Sequence, residues 1–211
     1  VLNASPYHMN KQISRYEAVR ERIGECGLPV VYVNLVGGQD ELVFDGASFV
    51  MDASGNLVHQ LPAFEEALRV VEFENDAPQL GEIVPEHALE ENVYRALCLG
   101  VSDYVNKNGF PGVLLGLSGG IDSALVLAIA VDALGADRVR AVMMPSQFTA
   151  DISLHDAETM AGTLGVQYSE ISIKPVFDAF LDSLADEFDR LPFDPAEENI
   201  QARIRGTLLM A

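Results

Sequence analysis

Basic residues are scarce in this chain. Its 211 residues hold 13 Lys+Arg against 32 Asp+Glu, a formal net charge of −19. A duplex-DNA binder would normally present a basic face to the phosphates, so this balance disfavours nucleic acid as a partner. Tryptophan is absent, and the two cysteines, Cys26 and Cys98, make no disulfide framework. A reducing, cytoplasmic setting is therefore the expectation. No run approaches the roughly 18–20 apolar residues of a membrane span. No signal-peptide pattern opens the chain. The four histidines, His8, His59, His87 and His155, lack metal-ligand spacing. Apolar residues are plentiful at 49%, enough for a packed core and too many for a disordered chain. The length suits one domain or two small ones. Both ends read as cut: Val1 to Ala4 looks like a strand in progress, and Gly206 to Ala211 like a helix without a cap.

Two kinds of patterning follow one another. In residues 1–75 strand and turn signals alternate. Lys11 to Glu25 is rich in helix formers and stops at Gly27. Pro29 to Val33 reads as a buried strand. Leu42–Phe44 and Ala47–Met51 read as a hairpin across Asp45-Gly46, and Val70–Phe73 as a final strand. Residues 75–85 carry Asn75, Asp76, Pro78, Gly81 and Pro85. That composition marks a linker at 76–85 between segments 1–75 and 86–211. From Glu86 onward helix and strand alternate. Leu89, Val93, Leu97, Val101, Tyr104 and Val105 share a helical face. Short apolar strands follow at Gly112–Leu117, Val139–Met144 and Tyr168–Ile173. Asp122–Leu134 is apolar nearly all round, as for a helix buried beside a sheet. Ser153 and Asp156 resemble a capping box. Val176, Phe177, Phe180, Leu181, Leu184 and Phe188 make a helical stripe, and Glu197–Met210 a last helix. This order predicts an α/β fold, a parallel sheet with helices on both faces.

The strongest local signal is Gly116-Leu117-Ser118-Gly119-Gly120-Ile121-Asp122-Ser123, between a strand and a helix. The glycines allow a sharp turn and close approach of a ligand to the backbone. Free N–H groups at the helix start then converge on one spot, where the helix dipole favours an anion. Ser118 and Ser123 add hydroxyls, and Asp122 sits where a carboxylate could hold a Mg²⁺ bridging phosphates. There is no Gly-Lys-Ser/Thr, so this is not a Walker loop. The glycines are adjacent, so it is not the dinucleotide fingerprint either. Met143-Met144-Pro145-Ser146 ends the next strand, on the side where parallel sheets bind ligands. Farther on, Glu198-Asn199-Ile200-Gln201-Ala202-Arg203-Ile204-Arg205-Gly206 closes an acidic run from Asp178 to Glu198 that includes Arg190. Its two arginines, at i and i+2, point to different helix faces.

Ser-Gly-Gly-x-Asp-Ser resembles the pyrophosphate loop of ATP pyrophosphatases, which cleave ATP between its α- and β-phosphates and adenylate an oxygen. The loop, Met-Pro-Ser and Glu-Asn-Ile-Gln-Ala-Arg-Ile-Arg-Gly together resemble the synthetase domain of glutamine-dependent NAD⁺ synthetases. Asn3–Lys11, Gly27–Asn34 and Gly37–Gly46 resemble the later part of that family's nitrilase-like glutaminase domain. The resemblance implies the C-terminal part of a nitrilase-like α-β-β-α sandwich followed by a Rossmann-like parallel-sheet ATP pyrophosphatase domain, both incomplete. It implies ATP, glutamine and nicotinic acid adenine dinucleotide (deamido-NAD⁺) as substrates, Mg²⁺ as cofactor and a homo-oligomer. Carried over by residue, Gly116, Leu117, Ser118, Gly119, Gly120, Ile121, Asp122 and Ser123 bind ATP, with Asp122 a Mg²⁺ ligand. Asn199, Arg203 and Arg205 are candidates for deamido-NAD⁺, and Ser5 and Lys11 match the glutamine-binding pair. The family's Glu-Lys-Cys glutaminase triad lies outside this chain, and neither Cys26 nor Cys98 takes its place. Other amidotransferases of this loop class, such as GMP or asparagine synthetases, carry differently folded glutaminase domains. A non-enzymatic assembly piece that keeps the loop without binding nucleotide is the remaining alternative.

Overall fold

A computed structural model describes residues 1–187 and 195–211, so Phe188 and Arg190 lie outside the described residues. The chain forms two compact units, Val1–Asn108 and Gly109–Ala211.

The first unit is built on a four-stranded sheet. Its strands are β1 (Leu2–Asn3), β2 (Val30–Asn34), β5 (Phe49–Met51) and β6 (Leu57–Gln60), in the order β1-β2-β5-β6. β1 pairs parallel with β2, and the other pairings are antiparallel. Helix α1 (Lys11–Cys26) covers the sheet through Val19 and Ile23, which pack on Tyr32, Phe49 and Met51. The Tyr32 ring stacks on Phe49, with centroids 4.8 Å apart, and Tyr16 meets Phe49 edge-on.

The hairpin expected across Asp45-Gly46 does not form. β4 (Leu42–Asp45) pairs with β3 (Val36–Gln39), and β5 joins the other sheet. The strands on either side of Gly46 part because the Gly46 N–H donates to Leu35 O while the Leu61 N–H donates to Ser48 O. The expected strand at Val70–Phe73 also shifts. β7 (Phe73–Glu74) pairs with β8 (Ala77–Pro78) across Asn75 and Asp76, both at positive φ.

Helix α2 (Leu89–Lys107) packs within this first unit, although it follows the 76–85 stretch. Gly38 of β3 makes the close approach possible, since a Cβ there would stand 3.2 Å from Gly100 Cα. Asp103 accepts from the Gly38 N–H at 2.6 Å, and Lys107 donates to Gly38 O at 2.8 Å. The packed face is thus Ala96, Gly100, Asp103 and Lys107, whereas Leu89, Leu97 and Tyr104 of the expected apolar face stay exposed.

The second unit holds a parallel sheet of β9 (Val113–Gly116), β10 (Val139–Met143) and β11 (Gln167–Glu170), with β10 central. Helices α3 (Ile121–Leu134) and α4 (Asp151–Leu164) link the strands in turn. Successive β10 residues face opposite ways. Val139, Ala141 and Met143 pack against Leu127 and Ala130 of α3 and Ala157 and Ala161 of α4. Val142 and Met144 pack against Phe177 of α5 (Lys174–Leu184) and Ile204 of α6 (Pro195–Met210). Both faces of the strand are buried, which explains its unbroken apolar run. Two expectations fail here. Ile121, Leu125 and Val126 of α3 are exposed, so that helix is not buried all round. α4 starts at Asp151 after Ala150, without a side-chain cap, so Ser153 and Asp156 form no capping box.

Candidate functional site

The carboxyl end of β9 sets the site. The Leu117 N–H still donates to Val142 O at 2.9 Å, and the Leu117 side chain is buried, so the chain leaves the sheet from a fixed point. It then turns through Gly119 at φ +78°, a left-handed conformation that favours glycine. The two serines tie the turn. Ser123 Oγ accepts from the Ser118 N–H at 3.1 Å, and the two hydroxyl oxygens lie 2.9 Å apart. Ser118 Oγ accepts from the Gly120 N–H at 3.3 Å, and the Ser123 hydroxyl donates to Gly120 O at 3.0 Å.

Gly120 caps α3 with no side-chain hydrogen bond, and the first helical bond is the Ala124 N–H to Gly120 O. The N–H groups of Ile121, Asp122 and Ser123 therefore have no acceptor within the helix. They form an electropositive end suited to an anion. Asp122 lies exposed in that first turn. A cleft of about 410 Å³ opens beside the turn, lined by Leu117, Gly119, Gly120 and Ile121 and walled by Asp156 and Met160 of α4.

Met144-Pro145-Ser146 lies next to this loop, as expected: a Cβ on Gly116 would sit 3.2 Å from Met144 Cε. α6 reaches the same strand end. The Arg205 Nε–H donates to Met144 O at 3.0 Å, and burial pushes the guanidinium pKa below its ordinary value. Arg205 shares a hollow of about 520 Å³ with Ser146, Phe148, Thr149, Glu198 and Gln201. Arg203 points elsewhere. It donates to Asn199 O at 3.4 Å and borders an apolar groove with Val176, Phe180 and Thr207. Asn199 is exposed and donates to Pro195 O at 2.8 Å. Sequence reasoning did not single out Gln201, which is buried one turn before Arg205. The i, i+4 spacing would have revealed it.

In the first unit, Ser5 is half-buried and tightly held. Its N–H donates to Asn34 Oδ1 at 2.8 Å, and its carbonyl accepts from Asn34 at 3.1 Å and Arg15 at 2.9 Å. Lys11 opens α1 beside a cleft bordered by Tyr7, His8, Asp45 and Gln60. Cys26 is exposed and Cys98 half-buried, and neither is disulfide-bonded. Among the described residues no cluster of three or more His, Cys, Asp or Glu could hold a metal, and no helix is long and apolar enough to cross a membrane.

The NAD synthase family model matches residues 93–211. A glutamine-dependent NAD(+) synthetase of Acinetobacter baylyi is 46% identical over 212 residues, covering 100% of this chain and 39% of that relative. Among solved structures, a glutamine-dependent NAD+ synthetase from Acinetobacter baumannii in complex with adenosine diphosphate superposes with a TM-score of 0.94 at 47% identity, over 100% of this chain and 41% of that one. A glutamine-dependent NAD(+) synthetase from Cytophaga hutchinsonii matches with a TM-score of 0.81 at 20% identity, over 100% and 43% of the two chains, a likeness of fold alone. The chain thus spans about two fifths of the length of these relatives, and the expected two-part α/β fold is borne out. With the glycine-serine turn at the head of a parallel sheet and the family match running from α2 to the last residue, the chain belongs to the NAD synthase family.

Proposed function

We propose that this chain is part of a glutamine-dependent NAD⁺ synthetase, a carbon–nitrogen ligase that amidates deamido-NAD⁺ at the expense of ATP. The observation that carries this reading is the turn Gly116–Ser123, with its convergent N–H groups and an exposed carboxylate at the end of β9. In this reading residues 1–75 end a glutamine amidohydrolase domain, 76–85 link, and 86–211 belong to the synthetase domain.

The chemistry follows from the substrates. A carboxylate resists attack by ammonia because its negative charge deactivates the carbon. One oxygen of the nicotinate carboxylate attacks the α-phosphorus of ATP, and pyrophosphate leaves. Ammonia, released from glutamine, attacks the resulting acyl adenylate. AMP departs with the activated oxygen, and loss of a proton leaves the amide, NAD⁺.

The helix start cradles the phosphates, and the fixed turn holds them in line for attack. Asp122 fits a Mg²⁺ ligand, because Mg²⁺ commonly takes one or two carboxylates and completes its shell from phosphates and water. When bound there, the ion neutralises charge that develops on the phosphates. Arg205, lodged at the strand end with Gln201, is the better placed arginine for the dinucleotide, and Asn199, one turn before Arg203 on the same helix, is its candidate amide. Ser5 and Lys11 offer a hydroxyl and an ammonium to glutamine.

The enzyme works on small molecules in the cytoplasm as a homo-oligomer, with no nucleic acid or membrane partner. The 211-residue chain by itself makes no NAD⁺. Isothermal titration of the whole protein with Mg-ATP, followed by pyrophosphate release on adding deamido-NAD⁺, tests the reading. Absence of both, or crystals of the whole protein showing a non-hydrolysable ATP analogue bound away from the turn, sinks it.

A further inference from the structure

Every N–H of the Arg15 guanidinium is committed. Nε donates to Ser5 Oγ at 3.3 Å, and Nη2 donates to Ser5 O at 2.9 Å and to Asp45 Oδ1 at 2.7 Å. Nη1 donates to Asp45 Oδ2 at 2.7 Å and to Gln12 Oε1 at 3.0 Å. The five donors of the fork are thereby all used. The side chains of Arg15 and Asp45 are only 3% and 6% exposed. Asn34 completes the clasp, bonding both the N–H and the carbonyl of Ser5 and reaching Asp45 Oδ1 at 3.5 Å.

A buried ion pair is a poor device for stability alone, since apolar side chains of similar volume often do as well. What this pair achieves is order at one residue. Arg15 stands four residues after Lys11 on α1, so the two share a helix face. Its guanidinium thus ties the helix that carries Lys11 to the backbone and hydroxyl of Ser5. Because Ser5 Oγ accepts from Nε–H, the hydroxyl proton remains available for donation to a ligand. A hydroxyl donor and an ammonium held on one scaffold suit the carboxylate of an amino acid.

We infer that Arg15, clamped by Asp45 and assisted by Asn34, is a positioning residue that sets Ser5 relative to Lys11 for the α-carboxylate of the amide donor. The inference rests on the proposed role of Ser5 and Lys11 in binding glutamine. Lysine cannot replace the arginine, because one ammonium cannot span Ser5 Oγ, Ser5 O, Gln12 and both Asp45 oxygens.

The test is steady-state glutaminase kinetics on the whole protein. Ser5→Ala is expected to raise KM for glutamine about tenfold, the scale of one hydrogen bond to a charged group. Arg15→Lys is expected to raise KM by about the same factor, with kcat at saturating glutamine falling less than about twofold. In the Ser5→Ala background, Arg15→Lys should change KM by less than about twofold, because a positioning group acts only through what it positions. A purely structural arginine would lower kcat or the yield of folded enzyme, and its effect would multiply onto that of Ser5→Ala. Unchanged KM in Arg15→Lys, or full multiplication in the double variant, overturns the inference while leaving the role of Ser5 intact. Unchanged KM in Ser5→Ala overturns the glutamine role itself and this inference with it. Should Arg15→Lys not fold, Asn34→Ser, which removes the amide that holds the Ser5 N–H and carbonyl, carries the same test.

Discussion

Gly119 lies against the backbone of Ser153, so closely that a Cβ on Gly119 would stand 2.3 Å from the Ser153 carbonyl oxygen. The contact joins the glycine-serine turn to the first turn of α4. It leaves room only for a hydrogen at that Cα, and φ at Gly119 is +78° besides. Gly119→Ala therefore meets both a steric clash with backbone and a disfavoured conformation. The expected outcome is a turn that opens. Mg-ATP affinity in the whole protein falls at least about tenfold, with about 1–3 kcal/mol of strain distributed between binding and stability. Calorimetric titration checks it, and an unaltered Kd refutes it.

Asp122 makes no ion pair or hydrogen bond among the described residues, and it is exposed at the start of α3. Its removal leaves the turn's own serine bonds untouched. Asp122→Ala in the whole protein should lower pyrophosphate release by about 10²-fold or more, the scale of removing one charge-stabilising group. Glutamine hydrolysis should persist. Pyrophosphate release at the wild-type rate rejects the assignment.

The turn of the loop was legible because it is local. Gly116 to Ser123 names a turn within eight letters, and the strand and helix around it follow from apolar runs. The second unit was readable for the same reason: each helix follows its strand, and β10 is apolar on both faces. Pairing in the first unit was not. Val36–Gln39 contains Gly37 and Gly38 and carries no strand signal, so the partner of β4 was invisible and Phe49–Met51 stood in for it. The α2 face failed similarly. Its contact is made by Gly100, Asp103 and Lys107 on the backbone of Gly38, which no hydrophobic period can reveal. The clasp on Ser5 joins residues from four separate segments, and it emerges only when those segments are brought together in space.

Phe177 is fully buried among Val142, Met144, Ile173 and Ile204, and it is the largest side chain between the sheet and α6. Phe177→Ala should destabilise the protein by about 3–5 kcal/mol, the usual cost of truncating a core aromatic. The loss is read from the urea midpoint of the whole protein. Because Met144 both touches this core and offers its carbonyl to Arg205, dinucleotide binding should weaken as well. A midpoint within error of the wild type removes Phe177 from the core.

Arg203 and Arg205 stand two residues apart on α6 and face different surroundings. Arg205 is half-buried, fixed to Met144 O, and opens on the hollow shared with Ser146, Thr149 and Gln201. Arg203 is exposed, and among the described residues its guanidinium donates to the carbonyl of its own helix at Asn199. Under the proposed function, an anionic dinucleotide entering at the strand ends would therefore meet Arg205 and not Arg203. Arg205→Ala should raise KM for deamido-NAD⁺ at least about tenfold, as expected for one charge-assisted hydrogen bond. Arg203→Ala should change it less than about twofold, because an exposed charge outside the site contributes little. Burial already depresses the Arg205 pKa, yet an arginine stays charged at any working pH. The Arg205→Ala loss should then be uniform between pH 6 and 9, and substitution by lysine should restore only part of the affinity. The reverse ranking, with Arg203→Ala the more damaging, would place the dinucleotide in the apolar groove beside Val176 and Phe180 and remove Arg205 from the site.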